Sequence, residues 1–178
     1  MSKDLTLLLA GFGGQGLLFA GKVAAYAGLI DGKEISWLPS YGPEMRGGTA
    51  NCSVTISDTP IGSPLIVNPS ALIVMNLPSY DKFIGSAATG ATVLVDSSMI
   101  DKKTDRTDIN VHYVPATALA EENGMKGLAN IILLGKLLKE TGFTSDKSMA
   151  VALSKCVSAK HADLLELNKQ AIKIGMSS

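Results

Sequence analysis

Leu5-Thr6-Leu7-Leu8-Leu9-Ala10-Gly11-Phe12-Gly13-Gly14-Gln15-Gly16 is the stretch whose reading decides the fold. The apolar run from Leu5 to Ala10, ended by glycine, predicts a buried parallel strand. Gly11 to Gly16 predicts a tight turn, and Leu17 to Ile30 a helix. At the start of that helix and along it, Gly16, Ala20, Ala24, Ala27 and Gly28 recur at spacings of three and four, a small-residue stripe that lets a helix lie close to a sheet. The glycines satisfy the G-x-G-x-x-G spacing after a strand and before a helix. In that setting backbone N–H groups approach a ligand, and the helix N-terminus favours negative charge. Gly11, Gly13, Gly14, Gln15 and Gly16 are therefore candidate anion contacts. The competing reading is that these glycines serve only to pack strand against helix.

Outward from this stretch, strand and helix signals alternate. A short strand over Glu34 to Leu38 is expected to stop at Pro39. The segment Pro39 to Asn51, with two prolines and three glycines, is expected to form a loop without regular structure. Cys52 to Ile56 alternates as a half-buried strand does. Leu72 to Met75 and Thr92 to Val95 read as buried strands, with a helix beginning near Pro78 between them. Val111 to Val114 is the last strand. Helices are expected over Ala116 to Glu122, Leu128 to Glu140, Ser145 to Val157 and Ala162 to Ile174. Ser145, Asp146 and Asp163 supply starts, and Gly142 and Gly175 supply stops. The expected fold is a mostly parallel, Rossmann-like α/β sheet with helices on both faces and a helical C-terminal third, with residues 1–178 as a single domain.

Composition narrows the function. Of 178 residues 46% are hydrophobic and 5% aromatic, a core of Leu, Ile, Val and Ala rather than a disordered chain. Sixteen basic and sixteen acidic residues cancel, and no basic stripe supports nucleic-acid binding. A near-neutral chain with mean hydropathy +0.25 tends to associate, and homodimerisation of the isolated chain fits that composition. No run reaches the ~18 apolar residues of a membrane span, and the N-terminal apolar run leads into glycines rather than a cleavage site, so a cytoplasmic location is expected. Two cysteines, Cys52 and Cys156, are too few for an iron–sulfur cluster, and with His112 and His161 they make no recognisable metal spacing.

Dinucleotide binding meets a specific obstacle. A nicotinamide site wants an acid at the end of the second strand, whereas Glu34 stands at its start. No phosphate-binding loop of the nucleoside triphosphate type is present. Arg46, between Glu44 and Gly47-Gly48, has the planar fork to hold a phosphate or carboxylate; a local pair with Glu44 or a partner contact is the alternative. Tyr41 and Trp37 add aromatic surface beside it. Asn76, Asp96 and Asn130 fall at strand or helix ends, where a ligand crevice or a helix cap would use them. No nucleophile–base–acid set emerges.

The glycine turn, together with Trp37-Leu38-Pro39-Ser40-Tyr41-Gly42-Pro43-Glu44-Met45-Arg46-Gly47-Gly48-Thr49-Ala50-Asn51-Cys52, resembles the gamma subunit of thiamine-diphosphate-dependent 2-oxoacid:ferredoxin oxidoreductases. Pro60-Ile61-Gly62-Ser63-Pro64 and Met75-Asn76-Leu77-Pro78-Ser79 continue the resemblance. It implies a heterotetrameric enzyme that oxidatively decarboxylates a 2-oxoacid, passes the acyl group to coenzyme A and sends electrons to ferredoxin. It further implies alpha and beta subunits holding thiamine diphosphate with magnesium, iron–sulfur clusters in other chains including a ferredoxin-like delta subunit, and a gamma chain that helps close over coenzyme A. The alternatives are a stand-alone Rossmann-like nucleotide-binding oxidoreductase and a non-catalytic interaction module.

Overall fold

The computed structural model describes residues 4–40 and 49–178. One six-stranded sheet organises them: β1 (Leu5–Phe12), β2 (Glu34–Ser40), β3 (Thr49–Ser57), β4 (Ala71–Val74), β5 (Thr92–Asp96) and β6 (Asn110–Val114). The spatial order is β2-β3-β1-β4-β5-β6. β1, β4, β5 and β6 are parallel neighbours, while β3 runs antiparallel to both β1 and β2. Five strands thus share a direction, and the expectation of a mostly parallel sheet holds.

The alternation of side chains divides the core in two. Leu5, Leu7 and Leu9 face one side with Cys52, Val54 and Ile56, under α1 (Leu17–Ile30), α3 (Ala116–Glu122), α4 (Ala129–Thr141), α5 (Asp146–Cys156) and α6 (Ala162–Ser177). Leu8, Leu72, Val74, Val93 and Val95 face the other side, where Tyr80 of α2 (Leu77–Phe83) and Ile100 and Ile109 pack on them. α4 lies between the sheet and α6. Its Ile131, Ile132, Leu133 and Leu134 have no exposed surface, each contributing about 1.5–3 kcal/mol relative to an exposed side chain. No described helix is long and apolar enough to cross a membrane.

Several boundaries differ from the sequence expectation, each for a physical reason. β2 does not stop at Pro39; it runs on through Pro39, opposite Cys52, to Ser40. β2 is an edge strand, the position in a sheet where a residue without an N–H is tolerated. Thr49, Ala50 and Asn51, expected in a loop, open β3 and pair with Phe12, Gly11 and Ala10. Gly175 is not a helix stop. α6 continues to Ser177, and Gly175 sits where α6 crosses α4, with Ile132 O and Lys136 N filling the place of a Cβ. Gly142, by contrast, ends α4 with φ +58°, and the Ser145 hydroxyl caps α5 by accepting from Ser148 N at 3.0 Å, both as expected.

Candidate functional site

β1 leads to α1 on one face of the sheet and β4 leads to α2 on the other. Their adjacent C-terminal ends therefore form the topological switch point at which open α/β sheets hold ligands. The glycine turn stands there. Gly14 and Gly16 have φ of +92° and +74°, the left-handed region that L side chains rarely enter. At Gly16 a Cβ would also strike the Asn130 amide, which donates from Nδ2 to Gly16 O at 2.8 Å. Gly11 has a different reason: the Gln15 amide oxygen lies where its Cβ would be.

Gln15 ties the two strand ends together. Its Oε1 accepts from Phe12 N at 2.6 Å, and its Nε2 donates to Met75 O at 3.0 Å. The amide at the start of the turn is thus already engaged by the turn's own side chain. Gly13 and Gly14 are exposed beyond it. Asn76 accepts from Ser79 N at 2.9 Å and caps α2, leaving Nδ2 buried without a partner. Asp96, fully buried at the end of β5, accepts from Ser98 N, Thr117 N and the Thr117 hydroxyl, the last at 2.6 Å. It fastens α3 to the sheet.

A cleft of about 240 Å³ opens beside this turn, lined among others by Gly14, Gln15, Met99, Thr117, Glu121 and Lys126. A larger concavity of about 810 Å³, bordered by Asp4, Asp31 and Ser70, lies at the opposite end, where the parallel strands begin. Topology favours the smaller cleft, since ligands of open α/β sheets sit at the carboxyl ends of the strands. Thr117 and Lys126 carry no local sequence signal. Each becomes visible only once α3 is seen to pack against the β5 end.

Among the described residues, Glu121 and Lys126 are the charged groups that line the smaller cleft. The Thr117 hydroxyl is committed to Asp96. Among the described residues no three His, Cys, Asp or Glu side chains converge as a metal site. Arg46, Tyr41 and Glu44 lie outside the described residues. Trp37 packs toward α1, where its indole nitrogen and the Cys52 sulfur both border Gly21. Burial pushes the Cys52 thiol up to about 11, with the Trp37 indole a smaller opposing influence. Burial also raises Cys156, against the charge of Lys22. A thiol titration at pH 8 is expected to label at most one cysteine in the native protein and two in urea, because the thiolate is the reactive form. Rapid labelling of two native thiols contradicts the packing of α1 on β3.

The position of β3 sharpens the case against a dinucleotide. The second strand of the sequence is not the neighbour of β1, because antiparallel β3 intervenes. An acid at the end of β2 would therefore stand one strand too far away.

Comparison with known proteins places this arrangement. The ketoisovalerate oxidoreductase subunit VorA of Methanothermobacter marburgensis is 39% identical over 136 residues, 76% of this chain but only 28% of VorA. The chain thus matches little more than a quarter of that longer relative. The 2-oxoglutarate synthase subunit KorC of Methanocaldococcus jannaschii is 38% identical over 156 residues, covering 86% of this chain and 82% of KorC. The keto/oxoacid ferredoxin oxidoreductase gamma subunit of Geobacter sulfurreducens superposes with a TM-score of 0.86 at 29% identity, covering 98% of this chain and 95% of that one. Residues 6–178 match the pyruvate ferredoxin/flavodoxin oxidoreductase family, and the chain belongs to it.

Proposed function

We propose that this chain is the gamma subunit of a 2-oxoacid:ferredoxin oxidoreductase, which converts a 2-oxoacid to acyl-coenzyme A and passes electrons to ferredoxin. The observation that carries the reading is a switch-point cleft walled by the glycine turn, in a member of this family. Such a cleft serves chemistry completed by other chains. Residues 1–178 act as one unit, in the cytoplasm, with alpha, beta and ferredoxin-like delta chains as partners. Thiamine diphosphate, magnesium and iron–sulfur clusters belong to those partners. The two cysteines here sit on separate elements, one in the core and one on α5, and do not fit a cluster.

In this reading the exposed Gly13–Gly14 peptide, the start of α1 and Arg46 hold an anionic group of coenzyme A at the cleft. Isothermal titration of coenzyme A into the assembled complex tests it. Gly14→Asp adds a negative charge and Arg46→Ala removes a positive one. Each is expected to weaken binding about tenfold, or ~1.4 kcal/mol. Gly14→Asn, with the same backbone requirement and no charge, is expected to bind several-fold better than Gly14→Asp. Unchanged affinity in both charge variants would remove coenzyme A from this turn.

A further inference from the structure

Large apolar side chains gather on a part of the surface away from the switch-point cleft. Leu65 and Val67 are 72% and 78% exposed, between Pro64 and Pro69. They border a groove of about 430 Å³ whose opposite wall is a face of β2 and β3, through Leu38, Ser40, Asn51 and Ser53. Strand register sets Leu38 beside Ser53 beside Leu8 in one row of that face, and Phe12 ends it two rows further along β1. Leu38 and Phe12 are each 37% exposed.

Charge is sparse in the described segments that border the groove. In a protein with 18% charged residues, none occurs in Ile35–Ser40, in β3, or from Thr59 to Tyr80. Among the described residues that line the groove, only Lys82 is charged. The outer helices differ, with exposed Lys147 and Lys155 on α5 and exposed Glu166 and Lys173 on α6. Depletion of charge around protruding apolar residues marks the core of a protein interface, not a solvated face. The segment carrying these residues is also held in place. Leu65 N donates to the Ser63 hydroxyl at 3.2 Å, and Asn68 Nδ2 donates to Ser86 O at 2.9 Å.

We propose that this groove seats another chain of the same oxidoreductase, through a largely apolar surface, with Leu65 and Val67 as anchors. The inference rests on the subunit reading above. Chain length selects this occupant over a second copy of the protein. In VorA the likeness to this chain spans 28% of the polypeptide, so most of that molecule is further protein attached to this fold. Where the fold stands as a separate chain, the equivalent protein arrives as a partner. This face of β2 and β3, bordered by the end of α2 at Lys82 and Phe83 and without a charged residue in Ile35–Ser40 or β3, is the surface suited to receive it.

The test compares the full-length chain with a Leu65→Asp/Val67→Asp variant, each mixed with the alpha and beta chains and followed by sizing and by hydrogen exchange. Exposed substitutions leave the fold intact, so the variant is expected to keep the wild-type melting temperature. It is expected to lose at least ~100-fold in affinity for the partner chains, as two anchor residues do when replaced by charge. In the wild type, amides of residues 60–68 gain protection when the partners are added. Co-migration of a folded variant at wild-type affinity overturns the proposal. So does unchanged exchange at residues 60–68 in the complex, a measurement that decides the matter if the variant fails to fold. Loss of a homodimer alone, with hetero-assembly intact, assigns the face to a second copy instead and also overturns it. If the wild type itself binds neither chain, the subunit reading falls, and the occupant proposed here falls with it.

Discussion

Gly175→Val is expected to destabilise the protein by about 3 kcal/mol or more and to lower its melting temperature by roughly 6–12 °C. α4 and α6 cross with backbone against backbone. A Cβ at Gly175 would overlap Ile132 O and stand 2.8 Å from Lys136 N, while one at Gly135 would overlap Ile172 O and stand 2.9 Å from Ile172 Cα. Backbone atoms cannot rotate aside as side chains do, so relief requires moving a whole helix. That helix packs along α4, whose Ile131, Ile132, Leu133 and Leu134 are all buried. Gly135→Ala is expected to cost a similar amount, and the double variant less than the sum, because both report one crossing. Gly62→Ala, with nothing within 4 Å of its added carbon, is the control and should be neutral. Thermal melts within 1 °C for all three would mean that the helices do not cross here.

Asp96→Ala is expected to cost about 2–3 kcal/mol, since it strips the acceptor from three donors at once. Ser98 N, Thr117 N and the Thr117 hydroxyl all point at this one carboxyl group. The damage should be local as well as global. Thr117 and Met99 line the switch-point cleft, so the variant is expected to bind coenzyme A more weakly in the assembled complex even below its melting temperature. Asp96→Asn keeps an oxygen for the Thr117 hydroxyl and should fall between wild type and alanine. A chemical denaturation series separates the three. Equal stability of alanine variant and wild type would show that α3 is held to the sheet by other contacts.

Legibility in the sequence followed the range of the interaction involved. Leu5 to Ala10 announces a buried strand because its apolar run is local, and Gly142 and Ser145 announce a helix end and start because caps act within a turn. Pro39 misleads because its cost depends on whether the strand has one neighbour or two, and only the completed sheet decides that. The same long-range pairing inserts β3 between β1 and β2, which no local pattern states. Gly175 misleads because a glycine near a helix end serves equally as a stop or as a point of close approach. The glycine turn is legible from its spacing, yet that spacing does not show that Gln15 engages Phe12 N and Met75 O. Asn76, Asp96 and Asn130 stand at strand and helix ends that the sequence marks, but the groups they bind lie on other turns and elements.

The measurement that bears most directly on the central claim is turnover on reconstitution. The purified chain alone, supplied with 2-oxoacid, coenzyme A and either ferredoxin or NAD, is expected to produce no acyl-coenzyme A. The alpha, beta and delta chains without it should be weak or inactive, and adding it in equal amounts should restore ferredoxin reduction. NAD-dependent turnover by the isolated chain, or full activity of the other chains in its absence, would contradict the account.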